Sequence, residues 1–274
     1  MSRSLGLGEI DFEVDPDSAR DIGTHYHDVL ERLFRKIADT GLPYDETRTD
    51  EYLADAVEIS DTLSGSTAGM IPDSVSRALR PLYNRVLESV IHQDAGLING
   101  HTPELVEGWE RRMENELGVV LAGRVDRVTR DAAGTLTLVD YKKNRIPSAK
   151  GISGDAPDLA GIEVTEDAGA VDALAGIDSI QIPFYVLLIE SSGERVSRAF
   201  YYSLEGPGSR TVFDESGDQP RPAMTRERLD EIIGLVERLV RDIVARARRG
   251  DYRCNPDCDG CAFRGVCRSK FVVR

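Results

Sequence analysis

The 274-residue chain has no long apolar run: the longest, Ile182 to Ile189, falls far short of the ~18 residues a membrane span needs. No charged-then-apolar leader opens it, which argues against a Sec signal peptide and makes the cytoplasm the expected compartment. Lysine is scarce. Lys36, Lys142, Lys143, Lys150 and Lys270 are five of the 34 basic side chains, leaving 29 arginines. Only four cysteines occur, all between Cys254 and Cys267, so nothing upstream carries thiol chemistry. No internal repeat is visible.

What is present describes a globular protein: 41% of residues are hydrophobic and 30% charged. The net charge of −14 taken globally argues against nucleic acid as a partner. Its distribution reverses that inference. Residues 221–274 carry 13 Lys+Arg against 8 Asp+Glu, while residues 1–220 carry 21 against 40. The basic tail is the part compatible with a polyanion. Abundant acid with little lysine suggests the cytoplasm of a salt-loving microbe, and drift in a high-GC genome explains it equally well. At molar salt the Debye length is only ~3 Å, so the acidic bulk would scarcely repel a phosphate backbone.

Periodicity predicts a helix from Ser18 to Asp39, with Tyr26, Val29, Leu30, Leu33, Phe34 and Ile37 on one stripe. Asp17 or Ser18 can cap it, and Gly41-Leu-Pro43 stops it. Helical stretches near 49–63 and 73–95 form an expected insertion within 41–100. From about Leu117 the period switches to that of strands. Val119–Arg130 and Thr135–Lys142 are expected to form a hairpin about the turn Asp131-Ala-Ala-Gly134. The stretch 105–115 suits helix or strand. Residues 144–178, with two basic and seven acidic side chains, are expected to form a mobile acidic loop with one short helix. A helix over 178–191, strands near 195–204 and 210–214, and a helix over 225–249 complete the chain. This order predicts one mixed α/β domain.

Two carboxylates stand out on the hairpin. Asp140 and Lys142 share a strand face because residues i and i+2 do, and pairing can bring Asp126 alongside. Convergent carboxylates suit a hard divalent cation, and an ammonium beside them can hold a water or offset developing negative charge. A salt-bridged surface hairpin is the plain alternative. His25 and His27 lie at opposite edges of the first helix's apolar stripe, and periodicity does not choose between them. Gln181 and Tyr185 share a helix face. Cys254, Cys258, Cys261 and Cys267 read as a four-thiolate metal knot over 250–274.

Gly123-x-x-Asp126-Arg127 followed by Val139-Asp140-Tyr141-Lys142 resembles the PD-(D/E)XK nuclease superfamily, and in wording its RecB-like branch of helicase-associated nuclease domains and four-cysteine exonucleases. Gly23-Thr-His-Tyr-His27-Asp-Val-Leu30, Gln181-Ile-Pro-Phe-Tyr185 and the cysteine set follow that branch's order. The resemblance implies a restriction-endonuclease-like mixed sheet flanked by helices. It implies that His27, Asp126, Asp140 and the Tyr141 carbonyl ligate Mg²⁺ or Mn²⁺, with Lys142 positioning a water or stabilising the transition state. It also implies that Gln181, Tyr185 and Arg127 contact substrate, as would arginines of the 225–249 helix, and that the cysteines hold a [4Fe–4S] cluster. One departure is that Cys254 sits beside the other three instead of far upstream, which keeps a structural Zn²⁺ open as the alternative.

The implied activity is hydrolysis of DNA phosphodiester bonds, with exonuclease action in repair or recombination the expected role. The start of the chain close to the histidine helix suggests a domain of a longer helicase–nuclease. Two other classes compete: an inactive nuclease-fold module that only binds DNA, and a zinc-knot interaction protein whose hairpin carboxylates are incidental.

Overall fold

The computed structural model describes residues 19–66, 73–104, 110–114, 118–143, 146–154, 177–204, 208–218 and 221–250. Helix α1 (Ala19–Asp39) buries the expected stripe: Tyr26, Val29, Leu30, Leu33, Phe34 and Ile37 are all nearly inaccessible. It ends where Gly41 takes a φ of 66°, a left-handed turn that glycine adopts without a Cβ penalty. Helices α2 (Thr49–Ser66) and α3 (Asp73–Leu97) pack against one another, and α2 packs on α1. Tyr52, Ala56, Leu87, Val90 and Ile91 share one core with Tyr141 and Tyr202 of the sheet.

The main sheet has five strands in the order β1-β4-β5-β6-β7, namely β1 (Thr102–Pro103), β4 (Arg127–Arg130), β5 (Leu136–Lys142), β6 (Val196–Ser203) and β7 (Ser209–Asp214). Only β5 and β6 run parallel; the other neighbours are antiparallel. Central β5 is buried along nearly its whole length, as a strand covered on both faces must be. Val139 and Tyr141 face α1–α3. Leu136 and Leu138 face the opposite core, with helices α5 (Gln181–Glu190) and α6 (Arg226–Arg248). The Thr225 side chain caps α6 by accepting from the Arg228 amide. The short helix α4 (Ala149–Ser153) is the one expected within 144–178. Among the described residues no helix is long and apolar enough to cross a membrane.

The hairpin differs from expectation in one respect. Val119–Arg130 is not one strand. Val120–Arg124 (β3) pairs with β2 (Glu110–Glu114) in a separate two-stranded sheet, and the chain bends at Asp126 before entering β4. The side chain at the bend helps hold it, since Asp126 Oδ2 accepts the Tyr141 amide at 2.9 Å. Strand β2 also resolves the ambiguity of 105–115 in favour of strand for 110–114; residues 105–109 lie outside the described set. So do the expected caps Asp17 and Ser18, residues 155–176, and 251–274 with all four cysteines.

Candidate active site

Arg127 pairs with Val139 in the antiparallel register, so Asp126 and Asp140 stand opposite one another at the open end of the hairpin. Each carboxylate has a basic neighbour. His27, projecting from α1, places Nδ1 at 3.2 Å from Asp126 Oδ1. Lys142 Nζ lies 2.7 Å from Asp140 Oδ2. Its ammonium also donates to Gln181 Oε1, at the start of α5, and stands 5.3 Å from the centre of the Tyr201 ring. His27, Asp126, Asp140, Tyr141, Lys142 and Gln181 are therefore brought together at one edge of the sheet. Tyr185 follows one turn along α5, half-buried. Burial, with the Asp140 and Asp126 charges behind it, pushes its phenol up to about 12.

The two histidines separate cleanly. His25 turns away, its Nε2 3.0 Å from Ser60 Oγ on α2 and its ring 4.8 Å from that of Tyr83 on α3. Burial lowers its pKa, as expected of a neutral packing residue. For His27 burial acts in the same direction. The hydrogen bond to Asp126 and the charges of Asp126 and Asp140 outweigh it, and the pKa rises.

Asp140 is ionised only at a cost. It is 2% exposed. Burial, then the neighbouring Asp126 charge, raises its pKa to about 6 against the opposing Lys142 and His27 charges. Its Oδ2 has the Lys142 ammonium, at 2.7 Å, as its ion-pair partner.

Among the described residues no three of His, Cys, Asp and Glu are spaced to hold a metal ion as they stand, with His27 turned onto Asp126 and Asp140 onto Lys142. The donor set nevertheless fits a hard divalent cation. It offers two carboxylates and an imidazole, the hard oxygen and nitrogen donors such an ion takes. The cost of ionising Asp140 comes from burial and from a like charge, and a cation offsets both.

Beside His27 and Asp126 opens a cleft of about 450 Å³, which Glu31, Arg124, Tyr141 and Lys143 also line. Asp140 and Lys142 do not line it. Glu31 lies one helical turn beyond His27, and its Oε2 accepts from Arg124 at 2.5 Å. Sequence reasoning missed these groups, although the i, i+4 spacing from His27 was a usable signal.

A family model for the PD-(D/E)XK nuclease superfamily matches residues 1–268. The chain belongs to this superfamily. Its mixed five-stranded sheet flanked by helices is consistent with the superfamily's restriction-endonuclease-like fold. A curated relative, an ATP-dependent helicase/deoxyribonuclease subunit of Streptococcus mutans, is 25% identical over 284 residues, covering 95% of this chain. The chain spans 24% of that relative's length.

Within this superfamily member one expected substrate contact is corrected. Arg127 does not reach the surface: its side chain is fully buried and bound by Asp94 of α3. The cause is strand register: Arg127 stands opposite Val139, which faces α1–α3, so its side chain enters the core where Asp94 stands. The arginines of α6 are also partly committed within the fold. Arg226 pairs with Glu190 and Asp230, Arg228 with Glu231, and Arg246 with Asp242.

Proposed function

We propose that this chain is a divalent-metal-dependent deoxyribonuclease that hydrolyses phosphodiester bonds, acting as an exonuclease in repair or recombination as part of, or beside, a helicase. The observation that carries the reading is the convergence of His27, Asp126, Asp140, Lys142 and Gln181 at one sheet edge, with the Asp140 carboxyl buried beside the Asp126 charge. His27, Asp126, Asp140 and the Tyr141 carbonyl would hold Mg²⁺ or Mn²⁺. Bound there, the cation supplies acidification of a water and charge offset on the phosphate.

The remaining work falls to the protein. Lys142 is fixed by Asp140 and Gln181, so its ammonium is aimed without having to reorganise, ready to orient the attacking water or meet developing negative charge. Tyr185 keeps its proton at neutral pH and can donate to a phosphate oxygen. The helicase association rests on the match to a helicase/deoxyribonuclease subunit. A [4Fe–4S] cluster on Cys254, Cys258, Cys261 and Cys267, with Zn²⁺ as the alternative, rests on four thiolates within fourteen residues.

The test is a Mg²⁺- or Mn²⁺-dependent assay on labelled single- and double-stranded DNA, with metal titrated calorimetrically. Asp126→Ala and Asp140→Ala abolish cleavage. Lys142→Ala abolishes it while leaving metal binding largely in place. His27→Ala weakens metal affinity, and His25→Ala does not. Undiminished cleavage by the Lys142 variant, or equal effects from the two histidines, removes the reading. Iron in anaerobically purified protein supports the cluster; stoichiometric zinc without iron replaces it.

A further inference from the structure

We propose that Arg127 and Asp94 form a buried clamp that positions the bend carrying Asp126, giving helix α3 a part in the site it does not touch. The inference rests on the reading of Asp126, His27 and the Tyr141 carbonyl as cation ligands.

Arg127 donates from both terminal nitrogens to Asp94, at 2.6 Å and 2.7 Å, and neither side chain is exposed at all. The guanidinium also lies 4.2 Å from the centre of the Phe34 ring on α1 and 5.5 Å from those of Tyr141 and Tyr202. One cation thus touches α1, α3, β5 and β6. Two of the expected ligands, Asp126 and Tyr141, are a single step from it, and His27 is reached through Tyr141. Asp126 is its neighbour along the chain. The Tyr141 ring rests on the guanidinium while the Tyr141 amide donates to Asp126 at 2.9 Å. The His27 ring meets the Tyr141 ring edge-on, with centres 5.8 Å apart.

Stability alone does not account for the arrangement. Arg127 Nε and the Tyr141 hydroxyl are buried without hydrogen-bond partners, which costs free energy. Buried ion pairs are often replaceable by apolar residues at no loss of stability. What an arginine–carboxylate fork supplies is fixed geometry: two parallel hydrogen bonds and a planar cation define position and rotation together. The fork's one fixed end is at the residue following the bend, where small displacements matter most for a reaction that depends on alignment.

The test replaces both partners, as Asp94→Leu with Arg127→Met. The thermal midpoint and the KM for DNA are expected to hold. The kcat is expected to fall roughly 10- to 100-fold, the scale of a misplacement near 1 Å. Amide hydrogen exchange of the metal-free protein provides a readout independent of cleavage: Tyr141 loses protection while the rest of β5 keeps it. Wild-type kcat with intact Tyr141 protection overturns the clamp. So does a loss of activity that merely follows a loss of folded protein. Should the double variant fail to fold, Arg127→Lys, which keeps the charge but not the fork, is read by the same two measurements, and an unchanged Tyr141 amide overturns the clamp. A wild-type protein that cleaves no DNA removes the nuclease reading, and Tyr141 exchange still decides the clamp.

Discussion

At the scale of single residues the site is a set of charges held apart from their preferred states. Asp140 carries the clearest consequence. Its pKa in the fold, about 6, lies above the ordinary 3.8. A carboxyl raised in this way favours the folded state most when protonated. That contribution is whole below about pH 4 and is lost as pH rises through about 6. Metal-free Asp140→Asn should therefore be more stable than the parent at pH 7, by about 1–3 kcal/mol, with the difference vanishing near pH 4. Thermal melts across that range check it. The same proton competes with the cation, so Mg²⁺ affinity measured by titration calorimetry should climb through pH 6. His27, raised in the same direction, must also shed a proton to act as a ligand and reinforces that sign.

Between elements, the close approach of β3 to α5 depends on Gly123. A Cβ there would stand 2.9 Å from Leu188 Cδ1, 3.1 Å from Tyr185 Cε1 and 3.3 Å from Phe184 Cε1. Here the glycine is needed for space and not for its backbone freedom. Leu188 and Ile189 are buried, so the helix has little room to retreat. Gly123→Val should cost about 1–3 kcal/mol through overpacking, read as a lowered denaturant midpoint. It should also displace Tyr185, raising the KM for DNA more than the loss of stability explains.

Across the whole molecule the charge of −14 sets the response to salt. Screening relieves self-repulsion, so the thermal midpoint should rise with KCl. DNA binding should weaken over the same range, with a slope of about −0.9 per phosphate neutralised on duplex. Opposite signs in one titration are the expected outcome, and melting and binding measured in the same buffers check it. The sequence by itself determined the helix of Tyr26 to Ile37, the hairpin around Gly134, and the pairing of Asp140 with Lys142. Each follows from a local period of 3.6 or 2, which needs no knowledge of distant neighbours. It also carried enough motif order to indicate the superfamily. Tertiary structure decided what local period cannot. It broke the 119–130 strand at Asp126, because that carboxylate binds the amide of Tyr141 on the neighbouring strand. It sent His25 to Ser60 and His27 to Asp126, although both flank the same stripe. It buried Arg127, which the motif alone placed at the substrate, because its register opposite Val139 turns it toward α1–α3, where Asp94 pairs with it.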